Sequence, residues 1–295
     1  MDTNQKYYVP QQSQWPIIAA SGVFFTLGGL AIALSAINQQ EDSSFGFSLF
    51  IAGLVVMIAM FSGWFGSVIR ESGQGLYSSQ LSISFRRGMG WFIFSEVMFF
   101  AGFFGALFYA RTFSVPWIGG EGAKGVTGML WEGFTAHWPL MKTPDMTQFQ
   151  GPMGLIDAWS LPFINTVLLI VSSFTLTFAH HNLRSENKAK TLFWLKATLL
   201  LGAAFLVVQV AEYGHAIHDL NLTVASGIYG STFYMLTGFH GAHVTLGAIM
   251  IFVMYRRVDN DHFKPDDHFG FEAAAWYWHF VDVVWLMLFT FVYVL

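Results

Sequence analysis

Hydrophobic residues in this chain come in long unbroken runs. They show neither the three-and-four spacing of a half-buried soluble helix nor the alternation of a strand. The runs fall at roughly 16–38, 46–69, 87–111, 159–181, 191–217, 229–255 and 270–294. Each is close to the ~20 residues that a helix needs to cross a hydrocarbon core. Backbone amides in lipid have no water to bond, so every run is predicted to be helical. Gly28-Gly29, Gly102, Gly105 and Gly202-Ala203-Ala204 lie inside the runs. In a membrane bundle such small residues let helix backbones approach closely.

Composition agrees with lipid as the solvent. The 295 residues are 54% hydrophobic and only 11% charged, against about 25% charged in soluble domains. The few charges sort by side. With the N-terminus placed on the cytoplasmic side, Lys6, Arg70, Arg86, Arg87, Arg184, Lys188, Lys190, Lys196, Arg256, Arg257 and Lys264 share that side. Only Arg111, Lys124 and Lys142 face the other. This asymmetry follows the positive-inside rule. The expected fold is therefore an all-α membrane protein with seven transmembrane helices, N-terminus in and C-terminus out, forming a single domain over 1–295. Trp15, Trp64, Trp117, Trp131, Trp138 and Trp159 fall near predicted span ends, as an interfacial aromatic belt requires. The longest loop, about 112–158, is rich in Gly, Pro and Trp. It is too aromatic for a disordered linker and is expected to lie over the outer ends of helices. Only Lys6 precedes the first run as a basic residue and no small-residue cleavage site follows, so that run reads as a retained span.

Charge and cysteine content remove whole classes of function. The net charge of −4 is spread over loops and offers nucleic acid no basic surface. With no cysteine, disulfides, thiolate metal sites and iron–sulfur clusters are excluded, whereas haem or copper held by histidine is not. The chain has no Gly-rich phosphate loop, no nucleophile elbow and no zinc signature.

The candidate chemistry lies inside the spans, where an unpaired charge costs several kcal/mol. Glu96 sits a third to half of the way along the third run. It reads either as a proton-handling or head-group-sensing acid or as interhelical glue. Spacings of three and four place Glu212, His215 and Asp219 on one face of the fifth run. His240 and His243, then His279 and Asp282, repeat the three-residue step, and Glu272 opens the last run. These groups could hold haem or metal, or could bond one another in a buried polar network. His180-His181 falls at a cytoplasmic span end, where a solvated interface is the simpler reading. Arg70-Glu71 and Arg256-Arg257 close the second and sixth runs, where arginine either binds lipid phosphate or snorkels to water.

Several strings carry a resemblance. The final run reads His268-Phe269-Gly270-Phe271-Glu272-Ala273-Ala274-Ala275-Trp276-Tyr277-Trp278-His279-Phe280-Val281-Asp282-Val283-Val284-Trp285-Leu286. Before it come Val68-Ile69-Arg70-Glu71-Ser72, Arg87-Gly88-Met89, Ser95-Glu96-Val97-Met98-Phe99-Phe100 and Pro162-Phe163-Ile164-Asn165-Thr166. Ala179-His180-His181, Gln209-Val210-Ala211-Glu212-Tyr213, Tyr229-Gly230-Ser231-Thr232-Phe233 and the Thr237–Val244 string complete the set. In this order they resemble subunit III of the haem–copper cytochrome c oxidases, with a recognisable piece in every span but the first.

The resemblance implies a pair of helices (about 16–69) and a group of five (about 87–294), separated by a V-shaped cleft filled with phospholipid. It implies no haem or copper in this chain; both lie in partner subunits. The expected partners are subunit I as the main contact, subunit II in the same complex, and membrane phospholipids. The implied function is that of a non-catalytic subunit of a proton-pumping aa3-type oxidase that reduces O2 to water. Its role is to protect subunit I from turnover-linked inactivation and to support proton uptake. Glu96 matches the family acid that reacts with hydrophobic carbodiimides. Arg257 matches a lipid-phosphate arginine, and Arg70 and Glu71 match its neighbours. The resemblance assigns Glu212, His215, His240, His243, Glu272, His279 and Asp282 to buried polar networking.

Some positions depart from the family pattern. Leu76 and Tyr77 stand where many relatives have a His pair, and Gly105 stands where Trp is frequent. A lipid-contacting His near Tyr109 is missing. The long 112–158 loop points to a bacterial cytoplasmic membrane over a mitochondrial inner membrane. The alternatives are subunit III of a quinol oxidase, whose relatives have five spans, a free-standing proton conductor using Glu96, Glu212 and Asp282, and a di-haem carrier using His215, His240, His243 and His279.

Overall fold

The structure, a computed structural model, describes residues 8–9, 12–265 and 267–295. Lys6, counted above on the cytoplasmic side, lies outside the described residues. Among these residues the chain is helical, without a strand. Seven helices are long and apolar enough to cross a membrane. They are α1 (Trp15–Asn38), α2 (Ser44–Gly73), α3 (Ser79–Tyr109), α5 (Leu161–Arg184), α6 (Lys188–His218), α7 (Gly227–Asp259) and α8 (Phe269–Leu288), with a four-residue helix α4 (Val115–Ile118) following α3. Each helix runs past the apolar window read from sequence at one end at least, while α3, α5 and α8 stop short at the other. α3 begins eight residues before its window because Ser79-Gln80 and Arg86-Arg87 continue the helix where water is available. Pro116, which has no N–H to donate, sits just inside α4, and the helix upstream widens to a π-turn over Ala110–Ser114.

The chain packs as two compact units, Met1–Phe85 and Arg86–Leu295. In the first, α1 and α2 lie side by side along a seam of small residues. Gly22, Gly29 and Ala33 are the buried positions of α1, and Gly46, Gly53 and Met60 those of α2. A methyl group at Gly29 would collide with the backbone of Phe50, and one at Gly46 with that of Ala33. The outward faces carry Phe24, Phe45 and Ile58, all exposed. An apolar exterior around a small-residue seam is the reverse of a soluble hairpin and suits lipid or another subunit.

The second unit centres on α8. Trp278 and Trp285 are fully buried among α5, α6 and α7. Lipid is as apolar as the core, so area burial contributes little here, and shape and interhelical hydrogen bonds decide the packing. Trp278 illustrates this. Its ring lies between Gly202 of α6 and Gly247 of α7, where an added methyl would stand 2.7 Å and 2.8 Å from ring carbons. Its Nε1–H donates to the Ser172 hydroxyl of α5 at 2.9 Å. Trp285 donates to Thr166 at 2.9 Å and meets Phe205 edge-on. The Thr175 and Thr198 hydroxyls join α5 to α6 at 2.8 Å. Of the glycines expected to pack, Gly29 and Gly202 do so, whereas Gly28, Gly102 and Gly105 face open space.

α3, from Arg86 onward, is tied by side chains to α7, to α8 and to the π-turn Phe289–Val294 that follows α8. Arg86 reaches Glu272, Glu96 reaches His243, Phe99 meets Phe239 and Phe104 meets Phe291. The segment after α4 folds back over the ends of α6 and α7. Leu140 and Ile156 are buried against Ala216, Leu222, Tyr229 and Phe233, and the Met153 amide donates to the Leu220 carbonyl at 2.8 Å.

Candidate functional site

A charge or polar side chain inside the spans needs a partner, and nearly every one singled out in the sequence has one. Glu96 on α3 faces His243 on α7, with Oε2 and Nε2 2.8 Å apart. The other nitrogen, Nδ1, lies 2.7 Å from the Phe239 carbonyl. A carbonyl only accepts, so Nδ1 carries hydrogen. The Glu96–His243 contact then holds exactly one proton, either on the carboxyl or on Nε2. The pair is neutral overall in both forms. Phe99, Phe100 and Tyr277 surround the imidazole.

The other acids are separate. Glu212 on α6 is fully buried, and its Oε1 accepts from the Tyr293 hydroxyl at 2.6 Å. Asp282 on α8 accepts from the Ser173 hydroxyl of α5 at 2.8 Å. His240 is fully buried and donates through Nε2 to the Val281 carbonyl at 3.0 Å. His279 lies half-buried, one turn before Asp282. The grouping of Glu212 with His215 and Asp219 is corrected. His215 is exposed and bonds Asp219 at 2.7 Å, while Glu212 turns inward to Tyr293. Helix spacing placed the three on one side, but α6 is wide enough in angle for one to face the core and the others its rim. These residues thus form local pairs with different partners, not one network.

A second polar group gathers where α5 ends and α8 begins. Arg86 holds Glu272 with Nε on Oε2 at 3.0 Å and Nη2 on Oε1 at 3.2 Å. His268 Nε2 stands 3.3 Å from Glu272 Oε1, and the His180 ring lies beside His268 with centroids 5.2 Å apart. The solvated reading of His180-His181 therefore holds only for His181, which is exposed; His180 turns inward against Phe271.

The basic ends of the spans are placed as follows. Arg70 is exposed at the end of α2 and donates to the Ser67 hydroxyl at 3.1 Å. Glu71 accepts from the Tyr77 hydroxyl at 3.1 Å. Arg257, nearly buried near the end of α7, stacks over the Phe263 ring at 4.2 Å.

Sequence reasoning missed Arg86, Tyr293, Ser173 and the two tryptophan donors as partners. Arg86 and Glu272 were legible only as sharing one side of the membrane. Tyr293 carried no signal, because one tyrosine in an apolar run looks like any other.

Comparison with known proteins gives a consistent result. The family described as "Cytochrome c oxidase subunit III" matches residues 5–123 and 125–295. Cytochrome c oxidase subunit 3 of Drosophila yakuba is 37% identical over 294 residues, covering 99% of this chain and 97% of the relative. The Papio hamadryas protein of the same name is 36% identical over 290 residues, covering 97% and 96%. That of Danio rerio is also 36% identical over 290 residues, with the same coverage. A multi-pass helical chain that matches one family from end to end is placed by that match: the chain belongs to the cytochrome c oxidase subunit III family.

Proposed function

We propose that this chain is a non-catalytic core subunit of a proton-pumping aa3-type cytochrome c oxidase. The observation that carries the reading is the family match through both parts of the chain, 5–123 and 125–295. In this reading the chain supplies no redox centre, and haem and copper belong to its partners. Its exposed apolar helix faces suit docking against subunit I, with subunit II in the same complex. Arg70 and Glu71 at the end of α2, and Arg257 at the end of α7, hold phospholipid head groups. Glu96, sharing one proton with His243, is the group that supports proton uptake by subunit I. The chain sits in a bacterial cytoplasmic membrane, N-terminus in and C-terminus out.

The test is affinity purification of the chain in mild detergent, with partners identified by mass spectrometry. Stoichiometric recovery of a large haem-bearing subunit and a copper-bearing one is the expected result. Recovery of the chain alone would sink the reading. A second measurement addresses the role. The complex stripped of this chain should transfer electrons at first and then lose activity in fewer turnovers than the intact complex. An unchanged active lifetime would reject the protective role.

A further inference from the structure

We propose that His180, His268 and Glu272 form a binding site for one divalent cation of the zinc class. The three come from the end of α5, the turn before α8 and the first turn of α8. One ligand atom from each lies within 4.8 Å of the other two. His268 Nε2 and Glu272 Oε1 are 3.3 Å apart. Two ligands of a tetrahedral zinc, each about 2.05 Å from the metal, are themselves about 3.3 Å apart. Only His180 has to close in.

Hydrogen bonding points the same way. His268 Nδ1 lies 3.3 Å from the Lys264 carbonyl, so the hydrogen sits on Nδ1 and Nε2 offers its lone pair. Ligand histidines are commonly oriented by such a bond from their other nitrogen. The Nε2 atoms of both His180 and His268 are buried and make no hydrogen bond. A buried nitrogen without a partner is costly, and here the His268 one stands 3.3 Å from a carboxylate oxygen, with a ligand atom of His180 within 4.8 Å. A proton on His268 does not resolve this: its contact with Glu272 lacks hydrogen-bond alignment, and Arg86 already balances that carboxylate. Two imidazoles and a carboxylate are the donor set of borderline divalent metals, not of calcium or magnesium. A bound cation would join the end of α5 to the start of α8, elements linked in sequence only through α6 and α7. This inference does not depend on the oxidase reading.

The experiment uses the full chain as purified in mild detergent, together with any partners it retains. Metals are removed with a chelator, the sample is equilibrated with Zn2+, and zinc per chain is counted by elemental mass spectrometry. The parent should retain one zinc more than His180→Gln or His268→Gln. His181→Gln, which alters the exposed neighbour, should match the parent. Equal zinc in the parent and both variants would overturn the proposal. If a variant does not fold, anomalous diffraction at the zinc edge decides on the parent. A peak bonded to the three ligand atoms supports the site, and well-ordered side chains without a peak overturn it.

Discussion

Glu96 and His243 lie 147 positions apart in the chain and 2.8 Å apart in the structure, with one proton between them. The count follows from the Phe239 carbonyl, which obliges His243 Nδ1 to be the donor. Glu96→Gln keeps a donor for Nε2, because the amide N–H can take the place of the carboxyl proton. This variant should assemble normally and show a modest loss of turnover at alkaline pH or over many turnovers. Glu96→Leu leaves Nε2 unpaired inside the bundle and should cost about 1–3 kcal/mol of stability. Thermal melting of the purified complex, with turnover recorded against pH, measures both. Equal melting of the two variants would show that the contact carries no stability.

Trp278 has no room to retreat. Gly202 and Gly247 press on its ring from two helices, while Ser172 holds its Nε1 from a third. Gly202→Val or Gly247→Val should reduce stability by about 1–3 kcal/mol through overpacking, with lower recovery of the chain in detergent. Gly105→Ala, at a position facing open space, should be neutral within this chain. A tolerated valine at both sites would contradict the packing described.

The hydroxyl of Tyr293 is the partner of one carboxyl oxygen of Glu212 in the core. Tyr293→Phe keeps the ring and removes the donor. The expected cost is about 1–3 kcal/mol. Adding Glu212→Gln should recover part of it, because an amide is less costly to leave underbonded than an acid. A double-mutant cycle on melting temperature gives the coupling. A coupling near zero would show that the two groups stabilise independently.

One pH effect lies outside the membrane. Asp145 in the long loop accepts from the Thr147 hydroxyl and from the backbone amides of Thr147 and Gln148. The Thr147 bonds hold its carboxyl below the ordinary value of 3.8. A depressed acid stabilises the folded loop above its unfolded pKa and loses that contribution as pH falls through the lower folded value. Protease cutting of the 140–150 segment should therefore rise on acidification below 3.8. Asp145→Asn should cut at the raised rate already at neutral pH and vary less with acid.

The spans were legible because a membrane forces about 20 apolar residues into one run. Their ends were not, because a helix such as α3 continues into the interface through Ser79, Gln80 and Arg86, where polarity no longer reports the boundary. The acids and histidines were legible as expensive residues. Their pairings were not, because the period of a helix says which residues share a side and not which neighbour stands opposite. His180 and His181 show the limit most sharply. They are adjacent and chemically identical, yet one is exposed and the other faces a histidine and a glutamate brought in by the start of α8.

α3 meets α8 at Arg86, α7 at Glu96 and the turn after α8 at Phe104, stations about 15 Å and about 12 Å apart along a helix that rises about 1.5 Å per residue. Ring contacts of Phe92, Phe99, Phe100 and Phe103 lie between these stations, and a beam held along its length resists both swivelling and bowing. Freed at either end it pivots about the remaining contacts, and freed in the middle it flexes while its ends stay seated. The central station is the one whose bond consists of a single shared proton. Chemistry at Glu96 would thus be felt as a change in the stiffness of a whole helix, with little change in its position.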